Sequence, residues 1–330
     1  MAVLEGAADV VHARLGKRQR PLAMRHAIFD PDLGWTSRPG FRDPDHYGAS
    51  KPLTITPDGA RGDGGAARYP RRRVALCLGG GNTFGTGVAD EEAWPALLAR
   101  QGPLFGTVNL GQEGYSLDQS LLKYLVDGRR RDHDVVILAI TRELIPSLTR
   151  DSHRGRRKPR LRLDGDTLVA HDGPLPRWAA FSPALNALAA PFGDLRLVRI
   201  ATDGIDALRD TPAQPSAEWI DDDTADLLVS LVGNLAREAR SSGRQLVVAY
   251  LPLQRDLEHW RSHRARGLLA RELAERGIPF LDLTDPIMSV VEPARRGELF
   301  QDDDAPQQYS AYGHRVVSLC FSGLLRRVFP

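Results

Sequence analysis

The 330-residue chain has only two cysteines, Cys77 and Cys320. Each stands inside an apolar run, which reads as a buried free thiol, and no cysteine spacing of metal-binding type exists. No stretch approaches the roughly 20 apolar residues that a bilayer-spanning helix requires. The first twenty residues, MAVLEGAADVVHARLGKRQR, contain no uninterrupted apolar stretch of signal-peptide type. These absences lead to the expectation of a soluble, cytoplasmic protein without a transmembrane segment. Charge of one sign is lacking too: 44 Lys and Arg face 42 Asp and Glu, a formal net charge of +2. That balance speaks against a nucleic-acid partner. No motif implies a metal or a cofactor.

Basic residues do gather locally, in Arg71 to Arg73, Arg129 to Arg131, and the stretch HRGRRKPR from His153 to Arg160. Such runs are ordinarily solvated surface. The sharper reading is a rim that attracts an anionic substrate or partner.

Residues 1–20 read as an amphipathic helix, with Val3, Leu4, Ala7, Val10, Val11 and Leu15 near one face. Residues 21–70 are dense in Pro, Gly and Asp and read as an irregular segment wrapping the main domain. From residue 71 onward strands alternate with helices. VALCL, FGTVNLG, DVVILAI, RQLVVAYLP and GIPFLDLT are short apolar runs of buried parallel-strand type. Asp90-Glu91-Glu92 is expected to open a helix, and Ser116 to cap another running through Leu125. Further helices are expected over about 222–240, from the fourth strand to Arg276, and over about 311–328. Residues 150–178 break the rhythm, and alternation around Asp164-Gly165 predicts a hairpin insertion. The pattern predicts a three-layer α/β/α sandwich on a central parallel sheet, flavodoxin-like, with its sites at the carboxyl ends of the strands.

Those strand ends carry a series of short motifs: LGGGNTFG (78–85), NLGQEGY (109–115), Thr141-Arg142-Glu143, and QQYSAYGH (307–314). In order, they resemble the motif blocks of the SGNH, or GDSL-type, hydrolase superfamily. The resemblance is clearest over 71–125 and 244–328. It implies an esterase or acyltransferase fold, with a nucleophilic serine in the first block. Here Gly81 stands in that place, and a glycine has no group with which to attack a carbonyl. In the second block Gly111 and Gly114 match, Gly114 in the oxyanion-hole role. In the third, Arg142 takes the place of the oxyanion asparagine. The last block aligns on Ser310, Gly313 and His314, which puts Gln308 on the catalytic histidine and Ala305 on its aspartate. Asp302, Asp303 and Asp304 fall out of register.

Nucleophile, base, base-orienting acid and oxyanion amide are thus all replaced inside matching flanks. The resemblance points to a pseudoenzyme, a catalytically silent relative that binds an acylated or anionic, carbohydrate-type ligand or a partner protein. Its expected binding residues are Gly80, Gly81, Asn82, Gly114, Arg142 and Gln308. Loss of side chains at Gly80 and Gly81 is expected to open space and expose backbone N–H groups to an anion or a carbonyl oxygen. The first alternative is a divergent esterase or O-acyltransferase with relocated groups. Its hydroxyl would come from Thr83 or Ser116, and its base from Glu143, Asp304 or His314. The second is a scaffold component of a surface-polysaccharide or other biosynthetic assembly. Nucleotide binding is excluded, because LGGGNTFGTG lacks the Gly-Lys-[Ser/Thr] ending of a P-loop. A dinucleotide fold would need an acid after the second strand, which ends instead in Asn109-Leu110-Gly111.

Overall fold

The computed structural model describes residues 25–62, 72–101, 105–150, 152–153, 156–165, 167–170, 220–259, 264–301 and 307–329. The helix expected over residues 1–20 lies outside them, as do Asp302, Asp303, Asp304 and Ala305.

The centre is a five-stranded parallel sheet: β1 (Arg73–Leu78), β2 (Phe105–Asn109), β3 (Val135–Ile140), β4 (Gln245–Tyr250) and β5 (Phe280–Asp282), in the order β2-β1-β3-β4-β5. Eight α-helices are described: α1 (Gly81–Phe84), α2 (Trp94–Gln101), α3 (Leu117–Val126), α4 (Asp222–Ser241), α5 (Gln254–Glu258), α6 (Arg264–Glu275), α7 (Thr284–Val290) and α8 (Ala311–Val328). The five apolar runs form the five strands because both faces of each are covered. Leu76, Leu78, Val136, Leu138, Ile140 and Val248 pack with α3, α4 and α6 on one side. Their neighbours Ala75, Cys77, Ile137, Ala139, Val247 and Ala249 pack with α2, α7 and α8 on the other. A period of two with apolar residues on both faces makes a three-layer sandwich, as the fold class predicted. The connection from β1 runs to β2 on one side and that from β3 to β4 on the other, so the carboxyl ends of β1 and β3 form the topological switch point.

Two local expectations differ from the structure. Asp90–Glu92 forms a 3₁₀ turn rather than the start of a helix. Ala93 is extended (φ −63°, ψ 138°) and separates that turn from α2. The segment before residue 71 is not irregular throughout. Ala27–Asp30 and Gly34–Ser37 form a hairpin, and Arg42–Asp43 pairs with Leu53–Thr54. Its order comes from docking: Leu33 and Trp35 are each 1% exposed. Trp35 Nε1 donates to Glu113 O (3.0 Å), and Tyr115 hydroxyl donates to Trp35 O (2.5 Å). A four-residue alternation inside turn-rich sequence does not show this, because its partners lie about eighty residues away in the second block.

The insertion is also anchored to that block. Leu161–Asp164 and Thr167–Ala170 pair antiparallel about Gly165. Ahead of them Lys158 is fully buried and forms an ion pair with Asp118, in the first turn of α3. Among the described residues no helix is long and apolar enough to cross a membrane.

Candidate functional site

The turn after β1 is shaped by how closely the chain passes itself. Gly79 has φ +151°, and a Cβ there would lie 2.3 Å from Thr83 Oγ1 and 2.8 Å from Ala139 O. Only glycine fits. Gly80 then caps α1 in an extended conformation (φ −85°, ψ −153°), and Gly85 ends it at φ +92°. Arg61, from the segment before β1, closes the far end of α1. Its Nη1 donates to Phe84 O and Gly85 O, both at 2.5 Å, and its Nε pairs with Asp90 at 3.1 Å. The second block presses against the same turn. Gly111 leaves no room for a side chain, since a Cβ would lie 2.5 Å from Phe84 N. Gln112 N donates to Gly79 O (3.0 Å). Gly114 sits in the next turn, with φ +76°.

Gly81 and Gln308 are neighbours although 227 positions apart. A Cβ built on Gly81 would lie 2.8 Å from Gln308 Oε1 and 3.1 Å from Thr86 Oγ1. The positions that the resemblance assigns to nucleophile and base are therefore side by side. The expected vacant space at the glycines is not there, however. At Gly81 the carboxamide of Gln308 fills it. At Gly80 a Cβ would be 3.1 Å from both Leu144 Cδ2 and Tyr115 O. The room beside both glycines is taken up by packing from other elements.

Asn82 holds the strand of chain that carries Gln308. Its Oδ1 accepts from Tyr309 N (2.9 Å) and its Nδ2 donates to Gln307 O (3.1 Å). With both ends of the amide engaged by backbone, Asn82 positions the loop. Gln307 in turn exchanges hydrogen bonds with Gln254 at the start of α5: Gln254 N to Gln307 Oε1, and Gln307 Nε2 to Gln254 Oε1, both 2.8 Å. The hydroxyl of Tyr309 donates to Pro252 O. Four amide side chains thus line the seam between the ends of β1 and β4.

Arg142 follows β3 and is 5% exposed. Its Nη1 pairs with Asp256 Oδ1 at 3.2 Å, and Asp256 is fully buried. Burial pushes the Asp256 carboxyl up from its ordinary value, while the Leu253 N–H and Arg142 pull it back. The charge expected at this position is therefore spent on a partner in α5. No sequence signal marked Asp256. Glu143, beside Arg142, is half-buried.

The remaining hydroxyl and histidine candidates divide. Thr83 is buried against Gly79. Ser116 is the N-cap residue of α3, its N–H donating to Gln119 Oε1 (3.1 Å) and its hydroxyl to Asp118. The hydroxyl beside Gly81 belongs to Thr86, which sequence reasoning missed. Its only flag is its place between Gly85 and Gly87, both at positive φ (+92° and +84°).

His314 lies in the core under α2, fully buried, with Nδ1 accepting from Trp94 N (3.2 Å). Burial pushes its pKa down to about 3. It stays neutral at pH 7 and is a core residue. The unfolded chain takes up this proton near pH 6.5, so the contribution of His314 to stability is complete above that value. It is lost as pH falls toward about 3. The expected slope is about 1.4 kcal/mol per pH unit in that window. Urea unfolding at pH 7 and pH 5, compared with His314→Gln, checks this: the variant should lack that part of the slope.

No protein-family model matches the chain, and no curated protein matches it. Among solved structures it is similar to a putative lipolytic protein of the G-D-S-L family from Desulfitobacterium hafniense, at 14% identity and a TM-score of 0.42, over 77% of this chain and 99% of that one. A lipolytic protein of the same family from Veillonella parvula is 11% identical, with a TM-score of 0.42, over 77% and 98%. A catalytic mutant of an acetylxylan esterase from Geobacillus stearothermophilus is 10% identical, with a TM-score of 0.41, over 77% and 94%.

Proposed function

We propose that this protein of SGNH-like fold does not hydrolyse esters by a serine–histidine mechanism. Instead it binds a small acyl- or carbohydrate-type ligand at the carboxyl edge of its sheet. One observation carries the reading. The two positions where nucleophile and base would stand are adjacent, and they hold a glycine and a glutamine. A carboxamide does not accept a proton near neutral pH, and a glycine has nothing to give it. In a triad hydrolase, removing serine or histidine alone costs about 10⁶ in rate. Short-chain aryl esters incubated with the purified chain should show no turnover above buffer, and a fluorophosphonate should leave the protein mass unchanged.

A second reading, ester chemistry on a relocated hydroxyl, is favoured by the 3.1 Å between Thr86 Oγ1 and the Cβ position of Gly81. It makes the opposite forecast: turnover that Thr86→Val abolishes and Thr83→Val leaves in place. That result would overturn the first reading.

A further inference from the structure

Resting on the ligand-binding reading, we propose that Asp256 determines which ligands this edge accepts. By cancelling the charge of Arg142, it makes the end of β3 a receptor for an uncharged oxygen of amide or ester type and closes it to anions. An arginine in the third block, taken alone, suggests the reverse.

The argument starts from what is buried together. Arg142 and Asp256 are 5% and 0% exposed, joined at 3.2 Å between Nη1 and Oδ1. The second carboxylate oxygen of Asp256 accepts from Leu253 N at 2.8 Å. The Tyr250 side chain, also fully buried, faces the same carboxyl. Arg266 also acts on Asp256, but it is itself paired with Asp282 at 3.0 Å and donates to Thr284 Oγ1 at 3.3 Å. Arg142 therefore carries the compensated half of a buried pair. An arriving phosphate, sulfate or carboxylate would meet a guanidinium whose field is already cancelled. It would also meet a carboxylate a few ångströms further on, in surroundings where water screens little.

One donor of the pair is unspent. Arg142 Nη2 is buried and makes no hydrogen bond among the described residues. An unsatisfied buried N–H is costly, and more so when it belongs to a charged group. A carbonyl oxygen satisfies that donor without facing net repulsion from Asp256. The charge balance thus selects a neutral acceptor, and the remaining N–H supplies the contact.

The test uses the full chain with N-methylacetamide and sulfate as probes, read by saturation-transfer NMR for the amide and by melting temperature and calorimetry for sulfate. The wild type should give saturation transfer to N-methylacetamide, lost in Arg142→Gln, and no sulfate-specific rise in melting temperature. Asp256→Asn should gain sulfate affinity by at least about tenfold, a change of 1.4 kcal/mol. Its melting temperature should rise with sulfate, and the double variant Arg142→Gln/Asp256→Asn should lose that rise. Because the gain is read as rescue, a destabilised Asp256→Asn protein still reports it. Sulfate binding to wild type that Arg142→Gln removes would overturn the proposal, and so would a sulfate response equal in the single and double variants. If N-methylacetamide fails to bind wild type while Asp256→Asn still gains sulfate, the assigned acceptor class is overturned and the role of Asp256 in excluding anions stands. If no probe binds any form, the ligand-binding reading itself fails.

Discussion

Installing serine at position 81 together with histidine at position 308 is expected to create a reactive hydroxyl at position 81. The Cβ direction at Gly81 points at the Gln308 side chain, with 2.8 Å between the Cβ position and Oε1. The atom in the way is the far end of a flexible side chain, and histidine in its place brings a nitrogen base to the same seam. The loop that carries position 308 is held by Asn82 and by Gln254 acting through Gln307, contacts that the exchange leaves in place. Position 81 has no positive-φ requirement, so serine is tolerated there. A positioned general base contributes about 10²–10⁴-fold. Gly81→Ser/Gln308→His should therefore react with a fluorophosphonate at least about a hundredfold faster than Gly81→Ser alone. Intact-mass measurement of single labelling, with the label mapped to position 81 by peptide digestion, reads this directly. Equal reactivity of single and double variants would mean that 81 and 308 are not the nucleophile and base positions, whatever the motif flanks suggest.

Lys158→Met is expected to be the most destabilising single change near this edge. Lys158 and Asp118 are an ion pair with both side chains fully buried, and Asp118 also accepts from the Ser116 hydroxyl. Removing one partner of a buried pair leaves an uncompensated charge and costs about 3–5 kcal/mol. Adding Asp118→Asn removes the stranded charge and should return much of that loss, since the carboxamide still accepts from Ser116. Urea denaturation of the wild type, the single variant and the double variant checks both statements. A loss below about 1 kcal/mol for Lys158→Met would place the lysine in a surface-like setting. Since Lys158 precedes the hairpin and Asp118 opens α3, the pair also fastens the insertion to the second block.

The five strands were legible because their apolar runs are short and bounded by turn residues, and a strand buried on both faces needs nothing more. Their ends came within a few residues: DVVILAI against Val135–Ile140, and GIPFLDLT against Phe280–Asp282. The hairpin about Gly165 and the helix Ala311–Val328 were legible for the same local reasons, a turn glycine at φ +58° and a Ser310 N-cap accepting from Gly313 N at 3.1 Å. The order carried by Trp35 was not, because its hydrogen bond reaches Glu113, in a block far along the chain.

The sequence by itself determined the alternation of strands and helices, the places where the chain turns, and the absence of a serine and a histidine at positions 81 and 308. Each is a property of residue type or near-neighbour spacing. Only the tertiary structure decided what surrounds those positions. Gln308 fills the room at Gly81, and Thr86 is the hydroxyl beside it. His314 is a neutral core residue, and the charge of Arg142 is cancelled by Asp256. The physical reason is that vacant volume and net charge at a point are sums over side chains from distant segments, and those segments meet only when the sheet has formed.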